Sequence, residues 1–165
     1  MLAAARVLRA AKTVVGISYK DVAGGKAAMK KAVQWAQPSD TIVALSIPKL
    51  VPEMMLSSMS DPADADESTF EALANLPSKV SASMQQQLQE VAAQEMEALG
   101  KKVEIKYKVL PPSNDPKASM VQACSAEKAS MLVVGPGMTG NGSFAAYMVS
   151  NAKGITVCAV RDHVV

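Results

Sequence analysis

The chain has 165 residues, of which 49% are hydrophobic and 19% are charged, a size and composition that suit one globular domain with a substantial core. Lys and Arg number 17 against 15 Asp and Glu, so the net charge of +2 lacks the concentrated basic charge of a dedicated nucleic-acid binder. Two cysteines and one histidine are too few for a closed zinc site, and no apolar run approaches the roughly 20 residues that span a bilayer.

Residues 1–12 form an N-terminal extension before the first predicted strand. They include Arg6, Arg9 and Lys12 and no acidic residue, a composition typical of an organellar transit peptide. They lack the serine enrichment that such peptides often show, so an ordinary extension is an equal alternative. We therefore expect a cytoplasmic protein, with a mitochondrion or plastid as the alternative location.

The remaining chain, residues 13–165, begins with a βαβ pattern. Apolar runs over 13–18 and 41–47 predict two strands that are covered on both faces. Apolar residues at helical spacing over 25–36 predict the helix between them. We expect Trp35 to pack between this helix and the sheet. A helix that joins two buried strands predicts a parallel sheet with a right-handed crossover.

The regular patterns are lost over residues 48–77, and we interpret this segment as an insertion in the domain. Apolar residues spaced by three predict a short helix over 68–76 within it. The acidic cluster at 61–67 lacks the ligand order and the central glycine of an EF-hand. It therefore predicts a solvated acidic surface and no metal site.

Two helices and two strands are predicted after the insertion. An amphipathic stripe predicts a helix over 78–99, which Gly100 ends as the residue after the C-cap. Alternating apolar and charged residues over 103–109 predict a strand with one face in solvent, near a sheet edge. Asp115 followed by Pro116 marks the start of the next helix, and residues 131–134 form the fourth strand.

A glycine-rich turn links the fourth strand to a helix over 143–151, and a fifth strand follows at 156–160. Small residues let backbone N–H groups approach an anion, and a helix N-terminus adds a favourable partial charge. The turn is therefore the candidate phosphate site, although its glycine spacing matches neither the P-loop nor the Rossmann motif. The alternative is that the glycines only allow the positive φ angles of a turn and bind no ligand. Its candidate ligand-binding residues are Gly135, Gly137, Gly140, Asn141, Gly142 and Ser143.

Five strands alternating with four principal helices predict an α/β fold, an open, doubly wound parallel sheet with helices on both faces. The predicted strand order is 3-2-1-4-5, because the first two and the last two crossovers must lie on opposite sides of a central first strand. Ligands of such sheets bind at the carboxyl ends of the strands. We therefore expect the site in the crevice between the first and fourth strands.

Catalytic groups are scarce in this sequence. His163 lies three residues from the C-terminus, where a solvated tail is expected, and Ser143 has no candidate base nearby in the sequence. Cys124 and Cys158 lie in apolar stretches, where inert, reduced thiols are expected. We predict no catalytic residue, and at most a slow ATPase.

Three parts of the chain resemble the universal stress protein family of adenine-nucleotide-binding α/β domains. They are residues 13–18 with 25–36, residues 115–118 with 129–135, and residues 142–143 with 157–161. The middle part is similar to the family run D-P-x-x-x-I…A-D-L-I-V-V-G and is the most specific match. The resemblance implies an adenine nucleotide, such as ATP, as the ligand.

Two departures from the family pattern bear on binding. The family's nucleotide-binding members usually carry Asp at the end of the first strand, where it contacts the nucleotide, and Ser18 stands at that position here. Tyr19 is a candidate contact beside it, and Asp21 is a candidate partial substitute for the missing carboxylate. The family's phosphate motif places nine residues between G-x-x-G and G-Ser/Thr, whereas one residue separates Gly140 from Gly142. Both departures imply weak binding of the adenine nucleotide.

These observations leave two functions open. The first is a non-catalytic, regulatory domain of the universal-stress-protein type that binds an adenine nucleotide or a smaller phosphate weakly. The alternative is a ligand-free structural or assembly subunit of a larger protein complex. The last strand, over 156–161, is apolar and predicted to lie at the sheet edge, so we expect a homodimer through it or a heteromeric protein partner there. We expect no nucleic-acid partner.

Overall fold

The structure, a computed structural model, describes residues 10–18, 21–47, 67–136 and 144–161, without the side chains of residues 67–81. Five strands and four helices alternate along these residues. In chain order they are β1 Lys12–Ile17, α1 Val22–Trp35, β2 Thr41–Ser46, α2 Glu67–Ala98, β3 Glu104–Val109, α3 Pro116–Ala126, β4 Met131–Val134, α4 Phe144–Asn151 and β5 Thr156–Ala159.

The five strands form one parallel sheet in the order β3-β2-β1-β4-β5. Both the parallel pairing and the predicted order are confirmed. The chain builds outward from β1 to β3 on one side and then returns to the centre to add β4 and β5 on the other. The strand order therefore reverses between β1 and β4, where a doubly wound sheet opens a crevice at the carboxyl ends of its strands.

The core lies in two layers, one on each face of the sheet. Successive residues of a strand point to opposite faces, so the fully buried Val14 and Val15 belong to different layers. Helices α1 and α2 cover the Val15 face, with Met29 and Leu88 buried against it. Helices α3 and α4 cover the Val14 face, where Met120 is buried. Helices on both faces confirm the doubly wound arrangement.

Helix α2 is longer than the sequence predicts. One helix of 32 residues, Glu67–Ala98, replaces the short helix and the separate helix that were expected on either side of Pro77. A proline inside a helix removes one hydrogen bond at a cost of about 3 kcal/mol, but Ala72, Leu73 and Ala74 before it favour the helical state. The predicted insertion therefore includes the first part of α2, and its residues 48–66 lie outside the described residues. None of the described helices combines the length and the apolar character that crossing a membrane requires.

Two large apolar side chains near helix ends are exposed. Trp35 is 48% exposed and Leu99 is 46% exposed, so the predicted packing of Trp35 between helix and sheet is wrong. Trp35 is the last residue of α1, and Leu99 directly follows the last residue of α2. Where the side chains of α2 are described, from residue 82 onward, its buried residues are Met84, Leu88 and Ala92.

The two edges of the sheet differ in charge. Strand β3 exposes Glu104, Lys106 and Lys108, as expected of a strand at an edge with one solvated face. Strand β5, with the sequence Thr-Val-Cys-Ala, forms the opposite edge and has no charged residue.

Candidate functional site

The candidate site lies where β1 and β4 end side by side. In their register Gly16 is opposite Val134, so Ser18 and Gly135 follow neighbouring strand ends. Ser18 is partly buried and forms an isolated bridge with Asp21, whose N–H donates to the Ser18 carbonyl at 3.2 Å. The end of β1 is therefore bonded directly to the residue that precedes α1.

Asp21 is the N-cap of α1. Its carboxylate accepts a hydrogen bond from the Gly24 N–H at 2.9 Å, and its carbonyl accepts one from the Gly25 N–H at 3.1 Å. The helix consequently begins at Val22, earlier than the predicted start at residue 25. The crevice thus keeps a carboxylate close to Ser18, but this carboxylate is bound to the first turn of the helix.

Gly135 and Gly24 bring two backbones into contact across the crevice. A Cβ atom added to Gly135 would lie 2.4 Å from the carbonyl carbon and oxygen of Gly24, closer than real Cβ atoms approach. A Cβ atom on Gly24 would lie 2.0 Å from a carboxylate oxygen of Asp21. Glycine at both positions therefore allows the segment after β4 to pack directly on the first turn of α1.

Of the predicted site residues, the structure brings Ser18 and Gly135 together at the crevice. The other candidates lie outside the described residues, and so does His163; these candidates are Tyr19, Gly137, Gly140, Asn141, Gly142 and Ser143. The anion site that the sequence predicts at the start of α4 therefore stays a prediction.

Sequence analysis missed the role of Gly24 and underestimated that of Asp21. The sequence could have indicated the cap, because Asp is a preferred N-cap residue whose side chain accepts a hydrogen bond from the N–H three positions later, here that of Gly24. No comparable signal exists for the contact between Gly24 and Gly135, which are far apart in the sequence and meet only once β1 and β4 are paired.

A small cavity lies beside the crevice, beneath α2. Its volume is about 20 Å³, and its lining includes Ile17, Ser46, Met84 and Tyr107. This space suits about one water molecule and is far too small for a nucleobase. Burial raises the pKa of Tyr107 to about 12, so the phenol stays protonated at neutral pH.

The described residues offer little for covalent or metal chemistry. Cys124 and Cys158 are free thiols, and burial, with the nearby charge of Glu127, raises the pKa of Cys124 to about 11. Such a thiol is protonated and unreactive at neutral pH. No three His, Cys, Asp or Glu side chains in the described ranges cluster in a way that could hold a metal ion.

No family model and no curated protein sequence matches this chain. Solved structures are similar to it in backbone. The universal stress protein UspA from Lactobacillus plantarum is 22% identical, with 93% of this chain and 99% of that chain covered and a TM-score of 0.59. A universal stress protein family protein from Arabidopsis thaliana with AMP bound is 17% identical, with 93% of each chain covered and a TM-score of 0.58.

A universal stress protein in complex with cAMP is also 17% identical, with 92% of this chain and 97% of that chain covered and a TM-score of 0.58. In all three comparisons the likeness extends over nearly the whole of both chains, while the sequences have diverged widely. The described chain has a five-stranded parallel sheet in the order β3-β2-β1-β4-β5. This chain therefore has the fold of the universal stress proteins.

Proposed function

We propose that this protein is a non-catalytic domain that binds an adenine nucleotide weakly in the crevice between β1 and β4. The observation that carries the proposal is that Ser18 and Gly135 follow neighbouring strand ends at the point where the strand order reverses. Two structures of the same fold hold cAMP and AMP, which supports an adenine nucleotide as the ligand class.

The strength of binding follows from the residue at the end of β1. A carboxylate there accepts a charge-assisted hydrogen bond that a serine hydroxyl does not replace, and such a bond contributes about 1.5–3 kcal/mol. Its absence weakens binding by roughly ten- to a hundredfold. The phosphate is proposed to bind the backbone N–H groups of residues 140–143, as the sequence predicts.

The test is a calorimetric titration of the full chain with AMP. We expect weak binding to the wild type and binding about tenfold tighter or more to Ser18→Asp, because the variant restores the charged acceptor. Ser125→Asp is the matched control, since it adds the same charge to an exposed residue near the far end of α3. That variant should bind AMP as the wild type does.

Two results would contradict the proposal. One is the absence of AMP binding in both the wild type and Ser18→Asp. The other is tight binding by the wild type that Ser18→Asp abolishes, because Ser18 would then not occupy the position of the family's carboxylate.

The open edge at β5 favours a second candidate function, a ligand-free assembly subunit. Strand β5 has no charged residue, and Val149 on the adjacent helix α4 is 68% exposed. An uncharged edge strand beside an exposed apolar side chain suits a protein partner or a second copy of the chain. Native mass spectrometry of the purified protein distinguishes the two functions: a co-purifying nucleotide supports the first, and co-purifying subunits support the second.

A further inference from the structure

Helices α1 and α2, which cover one face of the sheet side by side, carry opposite charges. Helix α1 has three lysines and no acidic residue, whereas residues 82–98 of α2 have three glutamates and no lysine or arginine. The lysines and glutamates are Lys26, Lys30, Lys31, Glu90, Glu95 and Glu97. We call the exposed residues of α1 and of residues 82–98 the α1–α2 face, which therefore has a basic half and an acidic half.

One pair of these charges is satisfied within the chain. The Nζ atom of Lys30 lies 3.6 Å from the carboxylate of Glu95. The remaining two lysines and two glutamates form no ion pair within the described residues. Three of these four residues are exposed, namely Lys31, Glu90 and Glu97. Both halves of the face therefore hold charges that are available to a partner.

Helices α1 and α2 run in the same direction. Near the start of α1, a Cβ atom added to Gly25 would lie 3.9 Å from the Leu88 side chain. Near the end of α1, the Gln34 side chain donates a hydrogen bond to Glu95 at 2.7 Å. The contacts follow the same order along both helices, so the C-terminal ends of α1 and α2 lie at the same end of the layer.

Two exposed apolar side chains mark that end. They are Trp35, the last residue of α1, and Leu99, which follows α2. The Lys101 ammonium group donates to the carbonyls of Gln34 and Ala36, at 2.9 and 2.7 Å, and so fixes the backbone on either side of Trp35. A tryptophan on a fixed backbone supplies a large contact area at little cost in conformational entropy, which is why such residues often dominate interfaces.

From this arrangement we propose that the α1–α2 face binds the same face of a second copy of the chain. A two-fold axis along the seam between the helices lays each α1 over the partner's α2 and keeps the two helices parallel. Each basic helix then faces an acidic one, with Lys31 near the partner's Glu97 and Trp35 near the partner's Leu99. A two-fold axis across the helices would instead lay α1 on α1 and bring like charges together.

The α1–α2 face is separate from the surfaces discussed above. It includes neither Ser18 and Gly135 of the crevice nor strand β5, so its pairing does not depend on a nucleotide or on the sheet edge. Ion pairs that stay accessible to solvent contribute little, and the apolar contact is confined to one end. We therefore expect association through this face only at high protein concentration.

Reversal of single charges tests this pairing, with association measured by analytical ultracentrifugation. The parent is the full chain carrying Val149→Asp, which places a charge beside the β5 edge and suppresses association there. We expect this parent to dimerise at high concentration, and less so at high salt. Lys31→Glu or Glu97→Lys alone should weaken the dimer roughly tenfold or more, because each brings like charges together twice in a symmetric pair.

An equimolar mixture of the two variants is the decisive sample. In the mixed pair, Glu at position 31 faces Lys at position 97 on one side, and the native Lys31 faces the native Glu97 on the other. The mixture should therefore associate about as tightly as the parent. Lys153→Glu is the control, because it reverses an exposed charge after α4, on the other face of the sheet, and should leave association unchanged.

Tryptophan fluorescence gives a second measurement, because Trp35 is the only tryptophan in the chain. Its emission should move to shorter wavelength as the dimer forms and the indole leaves water. The emission of the dilute parent should be that of an exposed tryptophan.

Three results would overturn the proposal. The first is a parent that stays monomeric at high concentration. The second is a mixture that associates no better than either variant alone, because Lys31 and Glu97 would then not meet across the pair. The third is a Trp35 emission that is already at short wavelength in the dilute parent and does not change with concentration, because something other than a second copy would then cover the face.

Discussion

Lys128 is the one non-glycine residue with a positive φ in the described part of the chain, at 53°. It lies at the end of α3, where its N–H donates to the Ser125 carbonyl and the next N–H, of Ala129, reaches the Cys124 carbonyl, both at 3.0 Å. These two bonds form a Schellman motif, which normally places glycine where Lys128 stands. A side chain in this conformation costs about 1–2 kcal/mol.

We expect Lys128→Gly to raise the free energy of unfolding by about 0.5–1 kcal/mol, because relief of the strained backbone outweighs the added freedom of the unfolded chain. Urea unfolding measures the change. Gly100 supplies the opposite control, since it has φ 61° in the same motif at the end of α2. Gly100→Ala should therefore lower stability, and a Lys128→Gly variant no more stable than the wild type would contradict the argument.

For single residues, the sequence predicts helix ends where a residue type strongly prefers one position at the end of a helix. Gly100 signals the end of α2 because glycine favours positive φ, and Asp115 with Pro116 signals the start of α3. Lys128 gives no such signal, because nothing about a lysine indicates a left-handed backbone. The contact of Gly24 with Gly135 is equally hidden, because it depends on which strands become neighbours.

Glu127, the C-cap residue of α3, connects three elements of secondary structure. Its carboxylate bonds to Lys108 of β3 and lies 3.2 Å from the Nζ atom of Lys12 of β1. The hydrogen bond from Lys108, aided by that from Lys12, lowers the pKa of Glu127 below its ordinary value of 4.5. Because the pKa is lowered in the folded state, the stabilisation is present above the unfolded-state pKa and is lost as pH falls through the folded-state pKa.

Glu127→Gln should therefore lower the free energy of unfolding at pH 7 by up to about 1 kcal/mol, since both lysines are partly exposed and solvent screens the pairs. The difference between variant and wild type should shrink as pH falls from 4.5 through the lowered folded-state pKa of Glu127, which urea unfolding at several pH values would show. The control is Glu104→Gln, which removes an exposed pair with Lys106 and should change stability less. An equal loss at pH 3 and pH 7 would refute the ion-pair explanation.

At the scale of elements, the periodicity of apolar residues predicts every strand but misplaces part of the helical layer. Strands that are buried on both faces, such as β1 and β2, appear as continuous apolar runs that turns interrupt. Pro77 suggested a helix boundary that the backbone does not have, because the helix-forming residues before it continue the helix. Trp35 suggested a core position from its size, but its exposure depends on where α1 ends relative to the sheet.

For the whole molecule, the difference between the two sheet edges favours pairing through β5. Val149 on α4, which packs on β5, is 68% exposed, and Val109 on β3 is 51% exposed. We expect the isolated protein to form a homodimer through β5, because this edge has no charged residue to oppose strand pairing.

Val149→Asp should shift the dimer towards the monomer in analytical ultracentrifugation, because it places a charge beside the proposed interface. Val109→Asp makes the same substitution at the opposite edge and should leave the dimer intact. A wild type that sediments as a monomer even at high concentration would count against the homodimer and favour a heteromeric partner at β5.

The charges on β3 also determine how far such association can proceed. When two copies join through the same strand, each uses its uncharged edge, and the outer strands of the enlarged sheet are the two copies of β3. Glu104, Lys106 and Lys108 then border both ends and discourage further strands from adding. Growth into a continuous ribbon or fibre would require the β3 edge of one pair to attach to the β3 edge of the next, so the charged edge restricts assembly through strands to a closed pair.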